Sequence, residues 1–105
     1  MIRRFGQRAE LKPEKVEEYK KLHKDAWPKV LETISECNIQ NYSIYISGCE
    51  LFAYFEYYGD DFDADMAKME ADPITIEWWK HTKPCFLHHF KQIYYSDMEE
   101  IFHYD

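Results

Sequence analysis

A tyrosine and a histidine in the segment from Pro13 to Glu36 are the side chains best suited to acid–base chemistry. Tyr19 and His23 are four residues apart. On a helix, which turns about 100° per residue, they would lie within roughly 40° of each other. Imidazole titrates near neutrality and can both give and take a proton, while a phenol can hold a hydroxyl group. The pair therefore indicates proton transfer with a bound molecule, and a histidine satisfied within the core is the competing interpretation.

An amphipathic helix has to position this pair. Apolar residues recur on the same side of the segment, namely Val16, Leu22, Val30 and Ile34. Trp27-Pro28 should interrupt the helix. Proline lacks a backbone donor and disfavours helix at the preceding residue, yet it is well tolerated in the first turn of a new helix. A break soon after an inward-facing histidine predicts a pocket beside it.

Three further aromatic residues have the types that a sugar site uses. Tyr42 follows Asn41 in a predicted strand, and Trp78 and Trp79 are consecutive on a predicted short helix. Adjacent helical residues point about 100° apart, so at least one indole should line a cavity or the surface. The apolar face of a pyranose stacks on such rings, while phenol and imidazole bond its hydroxyls. Aromatic residues of an ordinary core are the competing interpretation.

Composition limits the class of protein. The 105 residues suit a single domain, predicted over 1–105, with 46% apolar residues for a core. Nine tyrosines and an aromatic content of 18% indicate half-wet surfaces such as a pocket or an interface. A formal net charge of -7 argues against a nucleic-acid partner. Because the sequence has no run of eighteen apolar residues and no secretory signal, we expect no membrane partner and a soluble, cytoplasmic protein.

Neither the cysteines nor a pair of adjacent histidines predicts a metal site. The cysteines, Cys37, Cys49 and Cys85, are far apart and lack the paired spacing of zinc ligands. We expect them to be buried free thiols in a reducing compartment. His88 and His89 would point to opposite faces of a strand, so one ion would rarely contact both.

The hydrophobic pattern predicts alternating strands and helices. Strands are predicted over Arg3–Leu11, Gln40–Ser47, Glu50–Tyr58 and Met98–Tyr104. Helices are predicted over Pro13–Cys37 in two pieces, over Phe62–Ala71 with Phe62, Met66 and Met69 facing the core, and over Ile74–Lys83. Gly48 should join the two central strands as a hairpin, whereas the pattern from Cys85 to Asp97 fits either a loop or an edge strand.

This order of elements predicts an α+β domain with the ferredoxin-like βαββαβ arrangement. Helices would cover one face of its sheet. The strands are rich in tyrosine and phenylalanine, so the other face would expose a large aromatic surface. Two such sheets facing each other across a twofold axis would cover both surfaces, and we therefore expect a homodimer.

Short fragments occur along the chain in a specific order and at specific spacings. They are Ile2-Arg3-Arg4, Leu11-Lys12-Pro13-Glu14, Glu18-Tyr19 followed by His23 and Trp27-Pro28, Asn41-Tyr42-Ser43-Ile44-Tyr45, Trp78-Trp79, and Met98-Glu99-Glu100-Ile101-Phe102-His103. In these fragments the chain resembles the L-rhamnose mutarotase family over nearly its whole length.

That resemblance implies an enzyme without a cofactor that interconverts the α and β anomers of a six-carbon deoxysugar. It also implies a dimeric α+β barrel, in agreement with the order of elements. The family's proton-donating histidine falls on His23. Its sugar-contacting tyrosines fall on Tyr19 and Tyr42, and its tryptophan pair falls on Trp78 and Trp79.

The sequence leaves alternatives for both the substrate and the class of reaction. The segment from Cys85 to Ser96 matches the family least, and L-fucose or another deoxysugar would need the same groups as L-rhamnose. Small dimeric α+β barrels also house cofactor-free oxygenases and haem-degrading enzymes, which a buried histidine beside aromatic residues would suit as well. The third alternative is a sugar-binding module without catalysis, in which His23 only donates a hydrogen bond.

Overall fold

Strands and helices alternate along the chain in the predicted order. The structure, a computed structural model, describes residues 2–87 and 95–104. Its strands are β1 (Arg3–Glu10), β2 (Ile39–Ser47), β3 (Glu50–Tyr57) and β4 (Ser96–Met98). Its α-helices are α1 (Val16–Lys24), α2 (Pro28–Glu36), α3 (Phe62–Ala71) and α4 (Pro73–Thr82). Short 3-10 turns, Pro13–Lys15 and Lys83–Cys85, precede α1 and follow α4.

The described strands form one antiparallel sheet in the order β2-β3-β1-β4. β1 pairs with β3 along its whole length, from Arg3 opposite Tyr57 to Glu10 opposite Glu50. β2 and β3 form a hairpin whose turn begins at Gly48, with a φ of 62° that glycine adopts without steric cost. Strand order and connections are those of the predicted ferredoxin-like α+β fold, which is thereby confirmed.

The first helical segment breaks where proline predicts. α1 ends at Lys24, and α2 begins at Pro28, in a first turn that has no helical donor to lose. Trp27 is extended, with φ -68° and ψ 130°, as expected for a residue before proline. Its carbonyl oxygen accepts the backbone N–H groups of Val30 and Leu31, at 3.0 and 3.2 Å. The break leaves His23 in the last turn of α1.

Aspartates begin the last two helices. Asp61 accepts the backbone N–H of Ala64 at 3.1 Å, and Asp72 accepts that of Thr75 at 2.8 Å. Each bond satisfies a first-turn donor that has no partner within the helix. The second of these caps fixes the start of α4, the helix that carries both tryptophans of the predicted site.

Helices α1, α2 and α3 pack against one face of the sheet, here called the helix-covered face. One buried cluster there consists of Ala9, Leu11, Tyr19, Leu51, Cys85 and Phe86. A second consists of Ile39, Phe55 and Tyr57, against which Phe5, Ile34, Phe62, Met66 and Met69 pack. The second cluster confirms the predicted core role of the apolar stripe on α3. α4 packs on α2 and α3.

The opposite face, here called the open face, carries the alternate side chains of the same strands. These are Arg4, Gly6, Arg8, Ser43, Tyr45, Phe52, Tyr54, Glu56 and Met98. Tyr45 is 67% exposed and Phe52 is 38% exposed. The described helices all lie on the other side, so aromatic surface on this face contacts solvent in the single chain.

The last strand is shorter than predicted and lies earlier in the chain. A strand over Met98–Tyr104 was expected, but β4 spans Ser96–Met98 and pairs with residues 6–8 of β1. Those predicted bounds were wrong because the apolar residues that suggested them are not buried by this chain: Ile101 is 89% exposed and Phe102 is 81% exposed. Beyond Met98 the chain no longer forms a strand. It is joined to β1 there by an ion pair between Arg4 and Glu100, with nitrogen–oxygen distances of 2.9 and 3.0 Å.

Candidate active site

An open cavity of about 280 Å³ lies between α1 and the hairpin of β2 and β3. Its wall is formed by Tyr19, Lys20, His23, Lys24, Ile44, Ile46 and Leu51. The strands supply an apolar floor, and two turns of α1 supply every polar side chain of this wall. The two lysines, Lys20 and Lys24, are exposed at the rim of the cavity. The helix break therefore adjoins a pocket, as the sequence predicts.

His23 is half-buried and held in one orientation. Its ring centroid lies 4.3 Å from that of Tyr19 and 5.4 Å from that of Trp78. Its Nδ1 lies 3.0 Å from the backbone oxygen of Tyr19. A carbonyl oxygen only accepts, so Nδ1 carries a hydrogen, and in the neutral ring Nε2 keeps its lone pair.

The surroundings of His23 favour this neutral ring. Burial lowers the pKa of His23 below its usual value of 6.5, and the hydrogen bond to the Tyr19 carbonyl offsets only part of that effect. At neutral pH the imidazole is therefore mostly uncharged. It presents a proton acceptor, Nε2, that becomes a proton donor once it has been protonated.

Two phenols meet beside the histidine. The hydroxyl groups of Tyr19 and Tyr95 are 2.9 Å apart, and the Phe86 ring packs on both, with centroid distances of 5.6 and 5.4 Å. Burial raises the pKa of Tyr19 and of Tyr95 above the usual value, so both stay protonated near neutrality. One hydroxyl donates to the other, which leaves one O–H able to donate to a third group.

Tyr42 lies on the helix-covered face near this pair. Its ring centroid is 5.6 Å from that of Phe55, and 41% of the residue is exposed. Burial raises the pKa of Tyr42. An ionised Tyr42 would in turn raise the pKa of Tyr19 and of Tyr95. The structure thus places Tyr42 beside the tyrosine pair and outside the wall of the cavity itself.

The two tryptophans of α4 lie in different surroundings, as their spacing predicts. Trp78 is 6% exposed and packs edge-on against His23, and its centroid is 5.2 Å from that of Trp27. Trp79 is half-buried, and the Lys83 ammonium lies 4.6 Å from its ring centre. Trp78 therefore packs behind the histidine ring. None of the contacts described for Trp79 involves a residue of the cavity wall.

The sequence comparison identifies the family. A family model described as L-rhamnose mutarotase matches residues 4–104 of this chain. The chain belongs to the L-rhamnose mutarotase family. Mutarotases are isomerases that act on the anomeric centre of a sugar, and membership places the protein in that class of enzyme.

Individual mutarotases of this family match along most of their length. The L-rhamnose mutarotase of Oceanobacillus iheyensis is 31% identical over 96 residues, which is 89% of each chain. That of Lactiplantibacillus plantarum is 29% identical over 105 residues, covering 97% of this chain and 98% of the other. The crystal structure of L-rhamnose mutarotase from Formosa agariphila superimposes with a TM-score of 0.78 at 21% identity, over 98% of this chain and 99% of that one. The last comparison shows that the two chains share a fold.

Two aromatic residues around the candidate site, one beside Tyr19 and one beside Trp78, were not among the residues that the sequence predicted for it. Tyr95 comes from a segment whose pattern fitted no single element, so sequence gave no signal for it. Trp27 was singled out for the helix break and in the family fragments, without a role in the site. Its ring packs between Trp78 and His81, with centroid distances of 5.2 and 5.6 Å. A tryptophan immediately before the helix-starting proline was the available signal.

The described parts of the chain provide few groups for metal binding or thiol chemistry. Across residues 2–87 and 95–104, no group of three or more His, Cys, Asp or Glu side chains could hold a metal ion. The pair His88-His89 lies outside the described residues. Cys37 and Cys85 are buried free thiols as predicted, and Cys49 is free but only half-buried. Among the described helices, none is long and apolar enough to cross a membrane.

We expect the stability of the fold to fall as the pH drops below about 6.5, in part because of His23. The unfolded chain binds a proton on this ring near that pH, whereas the folded chain binds it only at lower pH. The stability from the neutral ring is therefore complete above the unfolded-state pKa and is lost as the pH falls through the folded-state pKa. The loss is about 1.4 kcal/mol for each unit between the two pKa values, and urea unfolding at a series of pH values measures it.

The His23→Gln variant is the control because glutamine does not titrate. The unfolding free energy of the wild type, minus that of the variant, should decrease as the pH is lowered from about 7.5 to about 5. A difference that stays constant over this range would show that burial does not shift the titration of His23.

Proposed function

We propose that the protein interconverts the α and β anomers of a deoxyhexose pyranose, L-rhamnose in the first place, with His23 as the catalytic residue. The observation that carries this proposal is the setting of His23. Its Nδ1 is occupied by a backbone oxygen, its pKa is lowered by burial, and its ring lines an open cavity beside two protonated phenols. Family membership supports the same reaction and sugar.

The cavity suits one sugar ring. Its volume of about 280 Å³ lies close to the lower end of the range of about 300–1,000 Å³ that is usual for small-molecule pockets. Ile44, Ile46 and Leu51 offer an apolar floor to the C–H face of a pyranose. The polar groups of α1 lie opposite this floor, where they can bond ring and exocyclic oxygens.

One imidazole nitrogen can serve both proton transfers. Neutral Nε2 of His23 takes the proton of the anomeric hydroxyl while the bond between C1 and the ring oxygen breaks. The resulting imidazolium gives that proton to the ring oxygen of the sugar. This leaves a free aldehyde and a neutral imidazole. Both oxygens are bonded to C1, so a small shift of the sugar brings each to the same nitrogen. Rotation about the C1–C2 bond and the reverse transfers then close the ring on the other face.

This reaction needs no cofactor because neither electrons nor a group leaves the sugar. The phenols of Tyr19 and Tyr42 bind substrate hydroxyls in this proposal, and the O–H left over from the Tyr19–Tyr95 pair is suited to the developing charge on an oxygen. Trp78 packs against the histidine ring, and in this proposal one of the two predicted tryptophans, Trp78 or Trp79, also stacks on the sugar. L-fucose would use the same groups, and a panel of deoxysugars distinguishes the two substrates.

We further propose that each chain folds as a single domain and that two copies associate through their open faces. Exposed Tyr45 and Phe52 would lose solvent contact there. Ile101 and Phe102 of the C-terminal segment are further exposed apolar residues. A cytoplasmic location is consistent with three unpaired thiols, which a reducing compartment preserves.

Replacing His23 with alanine should lower the rate of anomer exchange by about 10²- to 10⁴-fold, the usual contribution of a positioned acid–base group. Saturation-transfer NMR on the C1 protons of L-rhamnose and L-fucose at anomeric equilibrium measures exchange directly. His81→Ala is the matched control, because His81 packs on Trp27 and is half-exposed away from the cavity. If folded His23→Ala exchanges sugar at the wild-type rate, the histidine is structural. If the wild type binds the sugars but exchanges neither, the protein is a binding module.

Sedimentation equilibrium should report about twice the chain mass of 12.8 kDa at micromolar protein. Phe52→Asp, which places a charge on the open face, should shift the protein toward the monomer. Leu31→Asp is the matched control, because Leu31 is 51% exposed on a helix and its replacement should leave the mass unchanged. A fully active wild-type monomer, or a Phe52→Asp variant as dimeric as the wild type, would show that the open faces do not meet.

A further inference from the structure

The residues of β2 that face the helices change from odd-numbered to even-numbered part-way along the strand. Ile39 lies opposite Tyr57 on the helix-covered face, so a regular strand would continue inward with every second residue. Ser43, four residues on, would then face inward, but it lies opposite Tyr54 on the open face. The register shift between Gln40 and Ser43 is a β-bulge, in which one residue more stands on β2 than on β3.

The bulge decides on which face Tyr42 lies. In a regular strand Tyr42 would share the open face with Gln40, because side chains two apart point the same way. With the bulge, it shares the helix-covered face with Ile44, which lines the cavity, and its ring packs on Phe55 at 5.6 Å. Its phenol is close enough to Tyr19 to act on the pKa of that residue.

Asn41 carries the two features that hold this bulge. Its φ is 52°, in the left-handed region that asparagine visits more readily than other residues with a side chain. Its Nδ2 donates to Oε1 of Glu56 on β3 at 2.7 Å. The Glu56 carboxylate also accepts the hydroxyls of Tyr58 at 2.6 Å and Tyr54 at 2.7 Å. The three bonds, from Tyr58, Asn41 and Tyr54, lower the pKa of Glu56 to about 2, so the acceptor stays ionised.

We propose that Asn41 is a positioning residue of the active site, which turns Tyr42 from the open face toward the cavity through its left-handed backbone and its bond to Glu56. Asn41 bonds an open-face residue and acts on the site only through its neighbour. The kinetic part of the test rests on the proposed function, whereas the placement of the ring can be measured without any sugar.

Asn41→Ala tests both features at once. Alanine disfavours a positive φ, so the free protein should populate a strand in which Tyr42 faces away from the cavity. KM should rise roughly 5- to 30-fold with kcat little changed, because substrate must select the minor arrangement. Without sugar, the nuclear Overhauser contact between the rings of Tyr42 and Phe55 should weaken.

Asn38→Ala is the matched control. Asn38 has a φ of 66° and donates to the Asp65 carboxylate at 3.0 Å, so the same chemical change is made at a left-handed position outside the cavity wall. This variant should lose stability and keep the wild-type KM and the Tyr42–Phe55 contact. In a Tyr42→Ala background, Asn41→Ala should change KM no further, whereas independent effects would add.

The outcomes separate this proposal from the proposed function. A wild-type KM and an undiminished ring contact in folded Asn41→Ala, or additive effects with Tyr42→Ala, would overturn the positioning role. If Asn41→Ala does not fold, Asn41→Gly decides: glycine keeps the backbone but loses the bond, so KM should rise by a smaller factor, and an unchanged KM overturns the role. If the wild type exchanges no sugar, the proposed function fails and the ring contact alone decides.

Discussion

The hydrogen bond from Nδ1 of His23 to the backbone oxygen of Tyr19 decides which nitrogen of the imidazole can exchange protons. At 3.0 Å it fixes the proton on Nδ1 and leaves Nε2 as the basic atom of a neutral ring. A free imidazole would distribute its proton between both nitrogens. Here a carbonyl of the same helix selects the tautomer, because the His23 side chain leans back over the preceding turn and reaches the oxygen four residues earlier.

The ring stays in this position because it is packed between aromatic groups. Tyr19 lies on one side and Trp78 on another, and Trp27 packs behind Trp78. Trp27 can reach that place because the chain leaves the helix just before Pro28. The same burial that holds the imidazole lowers its pKa, so packing and proton affinity have one physical cause.

Local patterns were sufficient for the parts of the fold and site that depend on neighbouring residues. The spacing of Tyr19 and His23, the break at Pro28 and the turn at Gly48 all follow from backbone geometry over a few positions. The order of elements then predicted the ferredoxin-like sheet. Trp78 and Trp79 were expected to differ in burial for the same local reason.

Features that depend on distant partners could not be predicted in this way. Tyr95 reaches Tyr19 from 76 positions away along the chain, and no periodicity connects them. β4 was predicted at the wrong position because Ile101 and Phe102 suggested a strand there, although both side chains are exposed. The bulge at Asn41 left a trace in the sequence, since Ile39 and Tyr42 cannot both face inward on a regular strand. That trace has meaning only once Ile39 is known to be buried.

The pH dependence of enzymatic anomer exchange in the wild type tests the role of His23 most directly. A base with a lowered pKa should give a kcat/KM for L-rhamnose that is level above about pH 6.5 and falls only at lower pH, with a midpoint below that of free imidazole. The residual exchange of His23→Ala should lack this midpoint. A kcat/KM that rises as the pH is lowered through 6.5, or the same midpoint in His23→Ala, would show that neutral His23 is not the group that moves the proton.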